Sequence, residues 1–238
     1  MSDNVRHVRI DLLDAWRSLA VVCMVIYHFL YDLMLFGLMS PETMFSPGLN
    51  AFQKFICCSF ILLSGMSSRF SRNNIRRGLI TLGAGFLVIA GSFVAGVPIL
   101  FGILQFLGCA MLLYGLIGNR FEQLPTVLQP VLCIVLYIAT DIWTSRVMVS
   151  VPWLYPLGFL YPGFSSSDFF PILPWIFLFL LGAWLGGVLP SPGTEGSASR
   201  LYTKLPAWTT WIGRHSLLVY LLHQPILYGL SMLMFRAI

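Results

Sequence analysis

Residues Leu13–Asp32 read LDAWRSLAVVCMVIYHFLYD. The stretch is apolar through its middle and long enough to cross a bilayer as one α-helix. It carries Arg17 where such a helix would begin and His28 inside it, with ten residues between them. Eleven positions bring an α-helix round to almost the same face, so the two side chains share a stripe about 16 Å long. Ionisable groups inside a bilayer are costly, and they persist where they face a protein interior or a water-filled cavity and perform a function. A cation at the membrane edge aligned with a titratable base at depth makes this helix the place to look for chemistry.

The rest of the chain has the same character. Of 238 residues, 58% are hydrophobic and only 10% are charged, and the mean hydropathy is +0.83, far from an ordinary soluble domain. Apolar stretches bounded by charges or Pro/Gly breaks recur near 13–39, 50–67, 77–96, 98–118, 126–144, 169–189 and 208–235. The expected fold is therefore all-α, a polytopic integral membrane bundle of about seven transmembrane helices. The first stretch is too long and too charged for a cleaved signal peptide and lacks a small-residue cleavage site. Arg6, Arg9, Arg17, Arg69, Arg72, Arg76, Arg77, Arg120, Arg200, Lys204 and Arg214 fall on one side of such a bundle, and Lys54, Arg146 and Arg236 on the other. The positive-inside rule then places the N-terminus in the cytoplasm and, with seven spans, the C-terminus outside. This asymmetry accounts for the net charge of +5, which is not read as nucleic-acid binding.

No internal repeat or appended soluble domain is evident, so residues 1–238 are read as a single domain. Pro190–Lys204 (PSPGTEGSASRLYTK) reads as a flexible cytoplasmic linker. The connection Ser145–Ser167 holds Trp153, Tyr155, Phe159, Tyr161 and Phe164 among prolines. It reads as an aromatic belt at headgroup level, with a lid over an acceptor as the alternative. Gly182 and Gly186 form a GxxxG that suits close helix contact, within the bundle or in a homodimer. The five cysteines, Cys23, Cys57, Cys58, Cys109 and Cys133, all lie within spans. They have neither CxxC spacing nor a nearby histidine cluster, so they are read as packing residues, and no metal site is expected.

Chemistry concentrates at the two ends of the chain. Asp32 follows His28 by one helical turn, where a carboxylate could orient the imidazole, although a satisfied polar pair that only fixes packing has the same spacing. In the last span Ser216, Tyr220 and His223 share one face, with Pro225 just beyond, a pattern that suits interhelical hydrogen bonding as well as a site. Arg69, Arg72, Arg76 and Arg77 fit the topology and attraction to anionic lipid; as guanidinium forks they also suit the phosphates of a cofactor. Asp168 opens span six as a helix cap or as a contact to an acceptor at the outer mouth.

Four motifs in order resemble the transmembrane acyltransferase superfamily: LDAWRSLAVVCMVIYH at the start, FILLSGMS at 60–67, DFFPILPW at 168–175 and IGRHSLLVYLLHQP at 212–225. DFFPILPW and the short length are similar to the bacterial family named for the catalytic domain of heparan-α-glucosaminide N-acetyltransferase. The resemblance implies a protein of a bacterial cytoplasmic membrane. It implies acetyl-CoA, or another acyl-CoA, bound from the cytoplasm, and a hydroxyl or amino group of a sugar or envelope glycan as acceptor. It also implies Arg17 on the CoA and His28 as the base. The glycine that usually follows the fingerprint arginine is Ser18 here. The heparan enzyme has Asn where this chain has His28, so its substrate is not carried over. Two other classes use the same features: a proton-coupled transporter with His28, Asp32 and His223 along its path, and a non-catalytic membrane subunit.

Overall fold

The computed structural model describes residues 10–190 and 201–235; Arg6, Arg9, Arg200, Arg236 and most of the 190–204 linker lie outside the described residues. The chain folds as α1 (Asp11–Leu35), α2 (Pro41–Met44), α3 (Pro47–Arg69), α4 (Asn74–Val94), α5 (Ile103–Glu122), α6 (Leu128–Arg146), a 3-10 turn (Pro152–Leu157), α7 (Ile172–Val188), α8 (Ala207–Arg214) and α9 (Ser216–Phe235). No strand forms among the described residues, where β-structure is limited to two isolated bridges. Among the described residues six helices, α1, α3, α4, α5, α6 and α9, are long and apolar enough to cross a membrane. The 17-residue α7 is shorter, about 25 Å at 1.5 Å per residue. Each of the seven apolar stretches lies on a helix, which makes this a polytopic helical membrane protein.

Two compact units divide the chain, Met1–Phe60 with Leu189–Ile238, and Ile61–Val188. In the first, α1 packs against α8 and α9. Val21, Met24, Tyr27, Met44 and Ile56 form its buried core, and Phe52, Ile212 and Tyr220 lie against them. Its second contact is polar and close. Gly213 lies where a Cβ would come within 2.0 Å of the Asp14 carbonyl oxygen. The Gly213 N–H donates to Ser18 Oγ (2.7 Å), which itself donates to the Asp14 carbonyl (3.0 Å). The apolar stretch 208–235, expected as one span, is interrupted two residues after this bond, where His215 leaves helical geometry between α8 and α9.

In the second unit α4 packs on α5 and α6 on α7. Lipid tails are as apolar as leucine, so helices there are held by close packing and by hydrogen bonds rather than by escape from water. The GxxxG does this work within one chain: a Cβ at Gly182 would lie 2.3 Å from the Leu62 carbonyl oxygen and one at Gly186 2.9 Å from that of Met66. Gln105, 3% exposed, donates to the Gly85 carbonyl (2.7 Å) and accepts the Gly102 N–H (2.9 Å). Both ends of a buried amide are thereby satisfied. In the aromatic connection, Phe164 stacks with Tyr155, Tyr161 and Phe169, and Phe159 meets Trp143.

Candidate functional site

Helix α1 buries Asp14, Ser18, Val21, Met24 and Asp32 along one side, and Arg17 and His28 fall on the same side by helical spacing. The His28 ring meets His223 of α9 edge to face, with ring centroids 4.8 Å apart. No hydrogen bond ties His28 to another described residue. His223, 8% exposed, pairs through Nδ1 with the Tyr220 carbonyl at 2.6 Å. A carbonyl only accepts, so Nδ1 carries the hydrogen and Nε2 keeps its lone pair. That Nε2 is buried without a partner.

Asp32 is fully buried and accepts from Gln224 Nε2 at 2.8 Å. The carboxylate expected to orient His28 is thus held by α9. Its second oxygen, Oδ2, and Gln224 Oε1 are buried without partners. A buried polar atom left unpaired costs about 1–3 kcal/mol, and here three of them sit on Asp32, His223 and Gln224. Gln224 Oε1 accepts, and so does His223 Nε2 while Nδ1 carries the hydrogen; Asp32 Oδ2 accepts when the carboxyl is ionised and donates when it is protonated. Gln224 was not singled out from the sequence. Its signal was available as the amide following His223 in an otherwise apolar run, but its partner lies 192 residues away.

Toward the start of α1, Arg17 Nη1 donates to Asp14 Oδ1 (2.8 Å). Arg214 reaches Asp11 Oδ1 (2.9 Å) and Asp14 Oδ2 (3.5 Å). Among the described residues these two guanidinium groups face two carboxylates, and an anion drawn to Arg17 competes with Asp14. Ser216 opens α9, and Tyr220 lies against the unit's core. Ser18 is not a passive replacement for glycine, since its hydroxyl carries the α1–α8 link.

The remaining expected site residues belong to the second unit. Arg69 pairs with Glu122, whose carboxylate also accepts from the Tyr114 hydroxyl. Arg77 Nη1 donates to the Ser67 carbonyl (3.2 Å), while Arg72 and Arg76 are exposed. Asp168 Oδ2 accepts the Ile103 N–H at 3.0 Å, so it caps the start of α5 and not the helix it precedes in sequence. Burial pushes its carboxyl up to about 6, while the Ile103 N–H pulls the other way. An acid with a higher pKa folded than unfolded holds its proton better when folded, so stability falls as pH rises between the two values and stays lower above them. Asp168→Asn keeps an acceptor oxygen for Ile103 but cannot ionise. Its melting temperature is expected to exceed wild type at pH 7.5, with the gain disappearing near pH 4; parallel pH profiles for the two proteins would refute the assignment.

Helices of this length and hydropathy, with an imidazole pair between the first and last of them, define a class: polytopic membrane proteins with ionisable groups among their helices. The model of the family described as heparan-alpha-glucosaminide N-acetyltransferase, catalytic, matches residues 9–225, and the chain belongs to that family. Membership implies a membrane acetyltransferase, and transferase activity in general. No curated protein and no solved structure matches the chain.

Proposed function

We propose that this protein transfers an acetyl or similar small acyl group from acyl-CoA to a hydroxyl or amine of a sugar or other envelope acceptor. Its setting is a bacterial cytoplasmic membrane, with the N-terminus in the cytoplasm. The carrying observation is the His28–His223 ring contact, with unpartnered buried polar atoms on His223 and on Asp32 and Gln224, in a chain of this family. The acceptor's other polar groups pair with those atoms. His28 takes its proton as the oxygen or nitrogen attacks the thioester carbonyl, and returns the proton to the departing CoA sulfur. His223 lies against the His28 ring and stabilises the imidazolium that forms. Asp32 acts through Gln224, fixing α9 against α1. Ser216 and Tyr220 line the acceptor's approach on α9. Arg17 in the first unit, and Arg69, Arg72, Arg76 and Arg77 in the second, are separate candidates for attracting the donor's phosphates.

The test is release of CoA thiol from acetyl-CoA by the purified protein, with a panel of amino sugars and hydroxylated glycans. Release that depends on one acceptor class, with acetyl-CoA raising the melting temperature, is the expected result. No release with any acceptor and no stabilisation by acetyl-CoA would overturn the reading.

A further inference from the structure

A polar cavity of about 360 Å³ lies where α3 ends, α4 begins and α5 ends, with Ser68, Arg69, Arg72, Tyr114, Asn119 and Glu122 among its walls. That is room for about a dozen waters. Three features bear on what it holds. Ser68 is 1% exposed, yet its hydroxyl has no hydrogen-bond partner. Asn74 and Ile75, also in the wall, are the first residues of the 21-residue α4. Their N–H groups have no carbonyl within the helix to bond, and the helix dipole adds positive potential there. The Asn73 side chain is already committed to the Arg76 N–H (2.9 Å), so it does not cap them both.

The charges favour an anion. Glu122 is the cavity's carboxylate, and its charge is taken by Arg69 and the Tyr114 hydroxyl. Arg72 is left as a guanidinium with no ion pair among the described residues. The geometry points to a site for a phosphoryl group, held by Arg72, the free N–H groups at the start of α4 and the Ser68 hydroxyl. A phosphate offers the tetrahedral set of acceptor oxygens that matches a guanidinium fork, helix N–H groups and a hydroxyl together. The same chemistry is carried by a water-soluble phosphate ester and by an anionic lipid headgroup. The site shares Arg72 with the donor reading but rests on the cavity and not on acyl transfer.

The experiment measures binding to purified protein of inorganic phosphate, of adenosine 3′,5′-bisphosphate, and of phosphatidic acid in phosphatidylcholine nanodiscs, for wild type, Arg72→Gln, Ser68→Ala and Arg146→Gln. At least one probe is expected to bind saturably to wild type and to Arg146→Gln, with affinity lower by about tenfold or more in Arg72→Gln. In Ser68→Ala binding is also weaker, while the unliganded protein melts no lower than wild type because an unpaired buried hydroxyl has been removed. Preference for the bisphosphate assigns a soluble ester, and preference for phosphatidic acid assigns a headgroup. No saturable binding of any probe overturns the site. Loss in Arg72→Gln with Ser68→Ala like wild type also overturns it, leaving only attraction to surface charge. Binding here without acetyl transfer would fail the proposed function alone, and transfer without binding here would fail this site alone.

Discussion

Alanine in place of His28 is expected to lower acetyl transfer by roughly 10²–10⁴-fold, the range spanned when a positioned general base is removed. The protein should fold normally, because His28 is half-buried and no hydrogen bond to another described residue is lost. His223→Ala should also lower turnover, since the two rings stand 4.8 Å apart. If they act as a unit, the double variant is no slower than His28→Ala, whereas independent roles multiply the two losses. Turnover, acetyl-CoA binding and melting temperature measured on all three variants separate these cases. Wild-type turnover in His28→Ala would remove the base assignment; lost turnover with lost folding would instead mark the residue as structural.

Gly65→Ala is expected to be more damaging to stability than any substitution at the polar cluster. The added Cβ would lie 2.0 Å from the Phe179 carbonyl oxygen and 2.9 Å from the Ala183 nitrogen. Both are main-chain atoms, which cannot rotate aside. Helices α3 and α7 must move apart, and the contacts along the Leu62, Met66, Gly182 and Gly186 seam weaken together. Overpacking of side chains alone costs about 1–3 kcal/mol, so a backbone clash at this seam is expected to cost at least about 3 kcal/mol. Thermal unfolding in detergent would read this as a large drop in melting temperature or a failure to purify as a single species. Gly83→Ala is the internal control, because a Cβ there meets nothing within 4 Å. Equal stability of Gly65→Ala and wild type would show that the seam is not closely packed.

Much of the secondary structure follows from local pattern. Hydrophobic runs of about 20 residues must satisfy their own backbone in lipid, and a helix does so within the segment, so seven apolar stretches were readable as helices before any contact was known. The Arg17–His28 stripe was equally local, since helical spacing alone puts two residues on a face. What pairs with that face was not. His28 meets His223 across a sequence separation of 195 residues, and Asp32, one turn from His28, is held by Gln224 and not by the imidazole. Asp168 shows the same limit: its position before α7 suggests a cap there, but the N–H it reaches belongs to Ile103.

The sequence by itself determined that this is a helical membrane protein, roughly where its apolar helices run, and, through four ordered motifs, the family to which it belongs. Composition and periodicity act within one segment, and they are sufficient for that. Only the tertiary structure decided that the last apolar stretch breaks at His215, that the GxxxG closes α7 onto α3, that Gln224 holds Asp32, and that buried polar atoms on Asp32, His223 and Gln224 are left unpartnered. Those outcomes depend on main-chain approach and hydrogen-bond geometry between segments far apart in sequence. Helical period and hydropathy carry no information about either.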